Sequence, residues 1–344
     1  MTDLQSSQFS WDSRIRLGGS SVISAADARR QERTAQEILS RINDQPGVIL
    51  ADEVGLGKTF VALAVAASVA TSTKMRRPVV VMVPPALTSK WPQEWRTFAQ
   101  YCLPENTKLR ATAETINRPA AFLKLFDDDA SNRSHIIFLA HGALTRQLQD
   151  PYTRLAIVQA AFRKSRNLSD VRERFPRWAA KLIDRRLTPS ITEELLAAPI
   201  DRWRQVLQRQ SPDLEILDDP VYLGLPQMMK ESGVALRPLR ESLAGLPARR
   251  SSSIEQRLRQ SRDEIKIEIQ AVWDTIVSHA PFSSPCLILD EAHHVRHDGR
   301  ISGLFQSAEA ESDASAMQED GPLARKFDHM LFLTATPFQL GHRE

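Results

Sequence analysis

The chain has 344 residues, 42% hydrophobic and 25% charged, and its 45 Lys and Arg against 42 Asp and Glu leave a net charge of +3. This is the composition of a soluble globular protein long enough for two domains, or for one domain with a long insertion. So small a net charge does not diagnose a nucleic-acid binder, and two distant cysteines, Cys102 and Cys286, exclude a disulfide framework and fit a reducing compartment.

Residues 1–20 are polar, carry Gly18-Gly19, and read as an irregular arm without the basic end and apolar core of a signal peptide. Ser24 to Asn43 is rich in helix formers, with Ser24 placed as a cap. Gln31 in this helix is either a solvated amide or one that hydrogen-bonds adenine. Next comes Gly47 to Thr59, GVILADEVGLGKT. Val48, Ile49 and Leu50 form the continuous apolar run of a strand buried on both faces, and Phe60 to Ala70 suits a buried helix. Strand, glycine loop and helix are the setting in which Gly55, Gly57, Lys58 and Thr59 form a phosphate-binding loop. The glycines admit backbone N–H groups to phosphate oxygens, Lys58 reaches the β- and γ-phosphates, and the Thr59 hydroxyl ligates Mg2+. Asp52 stands where the general loop has its first glycine. The run Phe60 to Ala70 is too short to span a bilayer, so no membrane partner is expected. The expected location is the cytoplasm, with the nucleoid in a bacterium or the nucleus in a eukaryote.

Four more short strands follow: Val79 to Val83, Ile136 to Leu139, Leu287 to Leu289 and Met330 to Leu333. Each runs into a polar or glycine-containing turn. The fold class is therefore α/β: a parallel sheet with helices on both faces and its ligand at the carboxyl ends of the strands. Pro151 to Pro281 lacks a strand signal and reads as a helical insertion, with Ile254, Leu258, Ile265, Ile269, Val272, Trp273 and Ile276 near one stripe. Gln306 to Pro322 is acidic and reads as a loop. The expected organisation is an arm at 1–20, a first part of the sheet domain at 21–150, an insertion at 151–281 and the rest of the sheet domain at 282–344.

Asp290-Glu291 leaves a buried strand, and two adjacent carboxylates there can divide hydrolysis, Asp290 on the metal and Glu291 on the attacking water. His293, His294 and His297 near Cys286 do not have a zinc-site spacing. Between Tyr152 and Arg186, ten basic residues stand against three acidic ones. Arg163, Lys164 and Arg166 are candidate phosphate contacts, with a solvated face or an acidic partner as the alternatives.

Residues 51–59, Asp290-Glu291-Ala292-His293 and Thr334-Ala335-Thr336-Pro337 resemble motifs I, II and III of superfamily 2 helicases. More narrowly the chain resembles the Swi2/Snf2 branch of DNA-dependent ATPases, in which Asp commonly stands where Asp52 does. Val83-Pro84 with Trp91 and Glu94-Trp95 is similar to its motif Ia region. Gln31 and Gln339 fall at the spacing of its adenine-reading glutamine and of the glutamine after motif III. Ala335 departs from the Gly of many members, and the insertion is unusually long. The resemblance implies a RecA-like lobe that binds ATP and Mg2+ and drives movement on double-stranded DNA. It also implies that His293, Thr334 and Thr336 couple the ATP site to the DNA groove. Such motors need a second RecA-like lobe that supplies arginines. No room for it is expected before Glu344, so the chain reads as a first lobe of a longer or split protein, or as a truncated product. A strand-separating DNA or RNA helicase lobe and an inactive partner-binding module are the alternatives.

Overall fold

The computed structural model describes residues 8–19, 24–52, 57–129, 131–144, 147–163, 165–210, 218–248, 253–280, 282–293 and 323–335, with Ile216 and Phe305. The described chain divides into two compact units. The first comprises 1–118, 128–145 and 281–344, and the second 119–127 and 146–280.

The first unit is built on five parallel strands: β1 (Gly47–Ala51), β2 (Val79–Val83), β3 (Ile136–Ala140), β4 (Ser284–Leu289) and β5 (Phe327–Thr334), in the order β1-β5-β4-β2-β3. Every residue of β2, β3 and β4 is buried, which is why these strands read as unbroken apolar runs. Three strands begin earlier than their apolar runs, β1 by one residue and β4 and β5 by three. In β4, Pro285 offers no N–H and is skipped in the ladder between Ser284↔Phe327 and Cys286↔His329. Flanking helices are α1 (Ala25–Asp44), α2 (Lys58–Ser72) and α3 (Lys90–Cys102), so the fold is the α/β, RecA-like one expected.

Each helix follows from its residues. Ser24 accepts a bond from the Asp27 N–H at 3.1 Å and caps α1, whose buried side chains Ala28, Ala35, Ile38, Leu39 and Ile42 recur at helical spacing. In contrast, α2 is buried all round from Val61 to Ala70, since small residues let it lie directly against the sheet. On α3, Trp91, Trp95, Phe98 and Cys102 form the inward stripe.

The arm read as irregular contains a short 3-10 turn at Leu17–Gly19, and Phe9, Ile15 and Leu17 are buried in the same core as the sheet. Asn43 holds it, accepting from the Phe9 N–H at 2.8 Å and donating to the Phe9 carbonyl at 2.8 Å. Burying side chains of this size contributes roughly 1.5–3 kcal/mol each.

The second unit consists of α4 (Pro119–Lys124), α5 (Pro151–Arg163), α6 (Ser169–Arg174), α7 (Pro176–Leu182), α8 (Pro189–Ala197), α9 (Trp203–Gln210), α10 (Leu225–Glu231), α11 (Arg237–Ala244) and α12 (Ile254–Ser278). Leu258, Ile265, Ile269, Val272, Trp273 and Ile276 of α12 are buried. Gln159 on α5 donates to the carbonyls of Leu195, Leu196 and Ala198 and so caps the end of α8. Residues 119–127, which the sequence reading places with the sheet, group here instead. Lys124 pairs with Asp218 at 3.2 Å, and the Asp127 carboxylate accepts the Leu223 N–H at 2.7 Å. Among the described residues no helix is long and apolar enough to cross a membrane.

Candidate nucleotide site

The register of the sheet sets the site. Ala51 at the end of β1 pairs with Thr334 at the end of β5, and Leu289 at the end of β4 pairs with Phe332. The turns leaving β1, β5 and β4 therefore emerge side by side. Bonds from the turn after β4 continue the ladders on both sides, Asp290 N–H to the Met82 carbonyl of β2 at 2.9 Å and Ala292 N–H to the Leu333 carbonyl of β5 at 2.9 Å.

On the β1 side, Gly57 caps α2 in a left-handed conformation, φ +85°, that glycine adopts without strain. A Cβ there would lie 2.1 Å from Gln31 Nε2 and 2.8 Å from Gln31 Cδ. Gln31, 4% exposed on α1, is thus packed against the loop backbone, and it is not a solvated amide. Lys58 and Thr59 occupy the first turn of α2, half-buried. Lys58 Nζ donates to the Asp52 carbonyl at 2.6 Å, and Arg30 of α1 reaches the Asp52 carboxylate at 3.5 Å. Of the loop glycines, Gly55 lies outside the described residues.

On the β4 side, Asp290 is 9% exposed and its Oδ2 accepts a 2.8 Å bond from Trp91 Nε1–H. Its other oxygen accepts the Glu291 N–H at 3.0 Å. Desolvation raises the Asp290 pKa above the ordinary carboxylate value, and the Glu291 charge adds to the rise, while the Trp91 bond opposes it. Glu291 holds φ +51°, a left-handed conformation that a non-glycine residue rarely adopts and that sets its side chain beside the strand end. His293 Nδ1 lies 3.3 Å from Glu291 Oε2 and 3.4 Å from Thr334 Oγ1, so one imidazole spans the turn after β4 and the last residue of β5. Thr334 is 1% exposed. Thr336 and Gln339 lie outside the described residues, as do His294 and His297. Cys286 is wholly buried in β4 and its thiol is pushed up to about 12.

Sequence reasoning found no task for Trp91 or Arg30. The indole N–H of Trp91 would have betrayed itself only through a buried acceptor 199 residues away. For Arg30 the signal was the departure at Asp52, whose charge needs an offset.

After β2 a polar cleft of about 300 Å3 is lined by Thr88, Ser89, Gln93, Arg96, Thr115 and Asn117, with Glu114. The basic stretch from Tyr152 to Arg186 is less available than its ten cations imply. Arg154 is 9% exposed and donates to the Ile183 carbonyl, and Arg172 and Arg174 donate to the carbonyls of Leu196 and Leu246. Arg186 pairs with Asp184, and Lys181 with Glu255. Arg163 is exposed at the end of α5. Lys164 and the side chain of Arg166 lie outside the described residues.

A helix N-terminus entered through a left-handed glycine, with two acids on a strand beyond β5 in the same sheet, is an arrangement that can hold the phosphates of a nucleotide. Residues 30–130 match the family model of the SNF2-related domain, which is consistent with the N-terminal lobe of a Swi2/Snf2-like superfamily 2 ATPase. The match takes in the phosphate loop, α2 and α3, while Asp290 and Thr334 lie beyond it. Neither a curated protein nor a solved structure matches the chain.

Proposed function

We propose that the chain is the ATP-binding first lobe of a Snf2-like DNA-dependent ATPase, which couples hydrolysis to movement on double-stranded DNA when paired with a second RecA-like lobe. The observation that carries this is the convergence of the Lys58–Thr59 helix start, the buried Asp290 and the His293–Thr334 contact on adjoining strand ends. The residues fit a nucleotide. Gly57 leaves the loop backbone bare where any side chain would strike Gln31, and the N-terminus of α2 favours phosphate charge.

Lys58 exchanges its bond to the Asp52 carbonyl for phosphate oxygens. Thr59 and Asp290 are the residues that would hold Mg2+, which when bound neutralises charge on the transferring phosphoryl group. Glu291 orients the attacking water and takes up its proton. His293 ties the position of Glu291 to Thr334, so that a change at the acids is felt at the end of β5. Hydroxyls and amides in the cleft beside α3 suit a phosphate backbone.

ATPase assays on the chain alone, with duplex DNA, and with a supplied second lobe test this reading. Lys58→Ala should abolish nucleotide binding. Because transferred-charge arginines contribute on the order of 10³–10⁵ in rate, the chain alone should turn over very slowly and gain most when lobe and duplex are both present. Turnover at or above about 1 per second by the chain alone would rule out dependence on a second lobe. Stimulation by single strands or RNA in preference to duplex would favour a strand-separating helicase.

A further inference from the structure

The second unit contains a cavity of about 520 Å3 to which three separate helices each bring a cation: Arg163 from the end of α5, Lys230 from the last turn of α10 and Arg240 from α11. We propose that this groove seats phosphates of the nucleic-acid backbone on which the ATPase acts, an inference that rests on the functional reading above.

No acid lines the groove among the described residues. The neighbouring carboxylates are engaged elsewhere, Glu241 with Arg237 at 2.8 Å and Glu231 with Gln227. Three like charges around one cavity repel each other unless an anion offsets them. Arg240 is held in place, since its Nε donates to the Ala161 carbonyl at 3.0 Å, and its terminal nitrogens are left for a second acceptor. Arg163 and Lys230 are exposed and have no ion-pair partner among the described residues.

The remaining wall includes Met229, Val234 and Leu236. An apolar wall beside cations lowers the local dielectric and strengthens their hold on an anion. Arg163 also lines a second cavity of about 710 Å3, where Arg172 joins it but Glu173 and Glu193 balance the charge, so the unbalanced positive charge belongs to the first groove. Three cations from three helices around one groove suit a ligand whose charge repeats along its length, and a phosphate backbone is such a ligand.

The test is binding of a labelled duplex to the full chain across a salt series, comparing wild type with R163A/K230A. Lys266→Ala, an exposed cation on α12, serves as the control for general charge. Both sites are exposed, and unchanged thermal melting and nucleotide binding by the double variant check that the fold persists. Expected is about tenfold weaker duplex binding at 0.1 M salt and a log–log salt slope shallower by about 2, with K266A close to wild type. If wild type binds duplex and the double variant matches it in affinity and slope, the groove is not a phosphate site while the functional reading survives. If wild type binds no duplex at all, that reading falls and the groove proposal falls with it. Displacement by polyglutamate as effective as by unlabelled duplex would make the groove a carboxylate site and overturn the proposal.

Discussion

At Asp290 two demands oppose each other: the metal-holding role proposed for it needs a charged carboxylate, and its burial resists charge. Burial first, and Glu291 next to it, raise its pKa in the folded chain. A carboxyl shifted this way contributes stability that is fully present below its unfolded pKa and is lost as pH rises through the folded value. Asp290→Asn should therefore melt at a higher temperature than wild type at pH 7, with the difference vanishing in acid and ATPase activity lost throughout. Equal melting temperatures at pH 7 would show that burial of this charge costs nothing. Trp91→Phe removes the indole N–H that faces the carboxylate at 2.8 Å. It should destabilise by about 1.5–3 kcal/mol in urea titrations, the usual worth of a hydrogen bond to a charged group. In an Asp290→Asn background the same change should cost distinctly less; an equal cost would mean that Trp91 acts through packing alone.

Elements show how much was legible from the residues. Parallel strands buried on both faces announce themselves as apolar runs, so β2 was readable to its boundaries, while β4 was masked at its start by Pro285. The α12 stripe was readable because a 3.6-residue period survives over many turns. Contacts between elements were not readable. Nothing in local sequence puts Gln31 of α1 against Gly57, or sinks Ile15 and Leu17 into the core, since these depend on where α1 comes to rest. The arrangement at Gly57 gives a prediction at this scale. Gly57→Ala carries two penalties, strain at φ +85° and collision with Gln31, and should destabilise by ~1–3 kcal/mol while weakening nucleotide binding. Adding Gln31→Ala relieves the collision and leaves the strain, so unfolding experiments should recover part of the loss. Full recovery would mean the backbone is not strained there.

Across the whole molecule, both thiols lie in the unit that carries the sheet, Cys102 pushed up to about 11 by burial and Cys286 to about 12. The native chain at pH 8 should hardly react with a thiol reagent, and the denatured chain should react at both. Rapid labelling of native protein would mean that the sheet opens readily. The sheet itself is discontinuous in sequence. β1 and β2 precede the whole of the second unit and β3 follows only its short 119–127 piece, whereas β4, which pairs with β2 on one side and β5 on the other, comes after 146–280. On a ribosome, β2 and β3 can pair with each other early, but β1 must wait unjoined for β5, and the open edge of β2 for β4. The contiguous helices of α5–α12 can meanwhile condense through short-range contacts. Asp290 and Glu291 arrive with the strand that joins β2 to β5, so the two halves of the proposed nucleotide site meet only when the sheet closes.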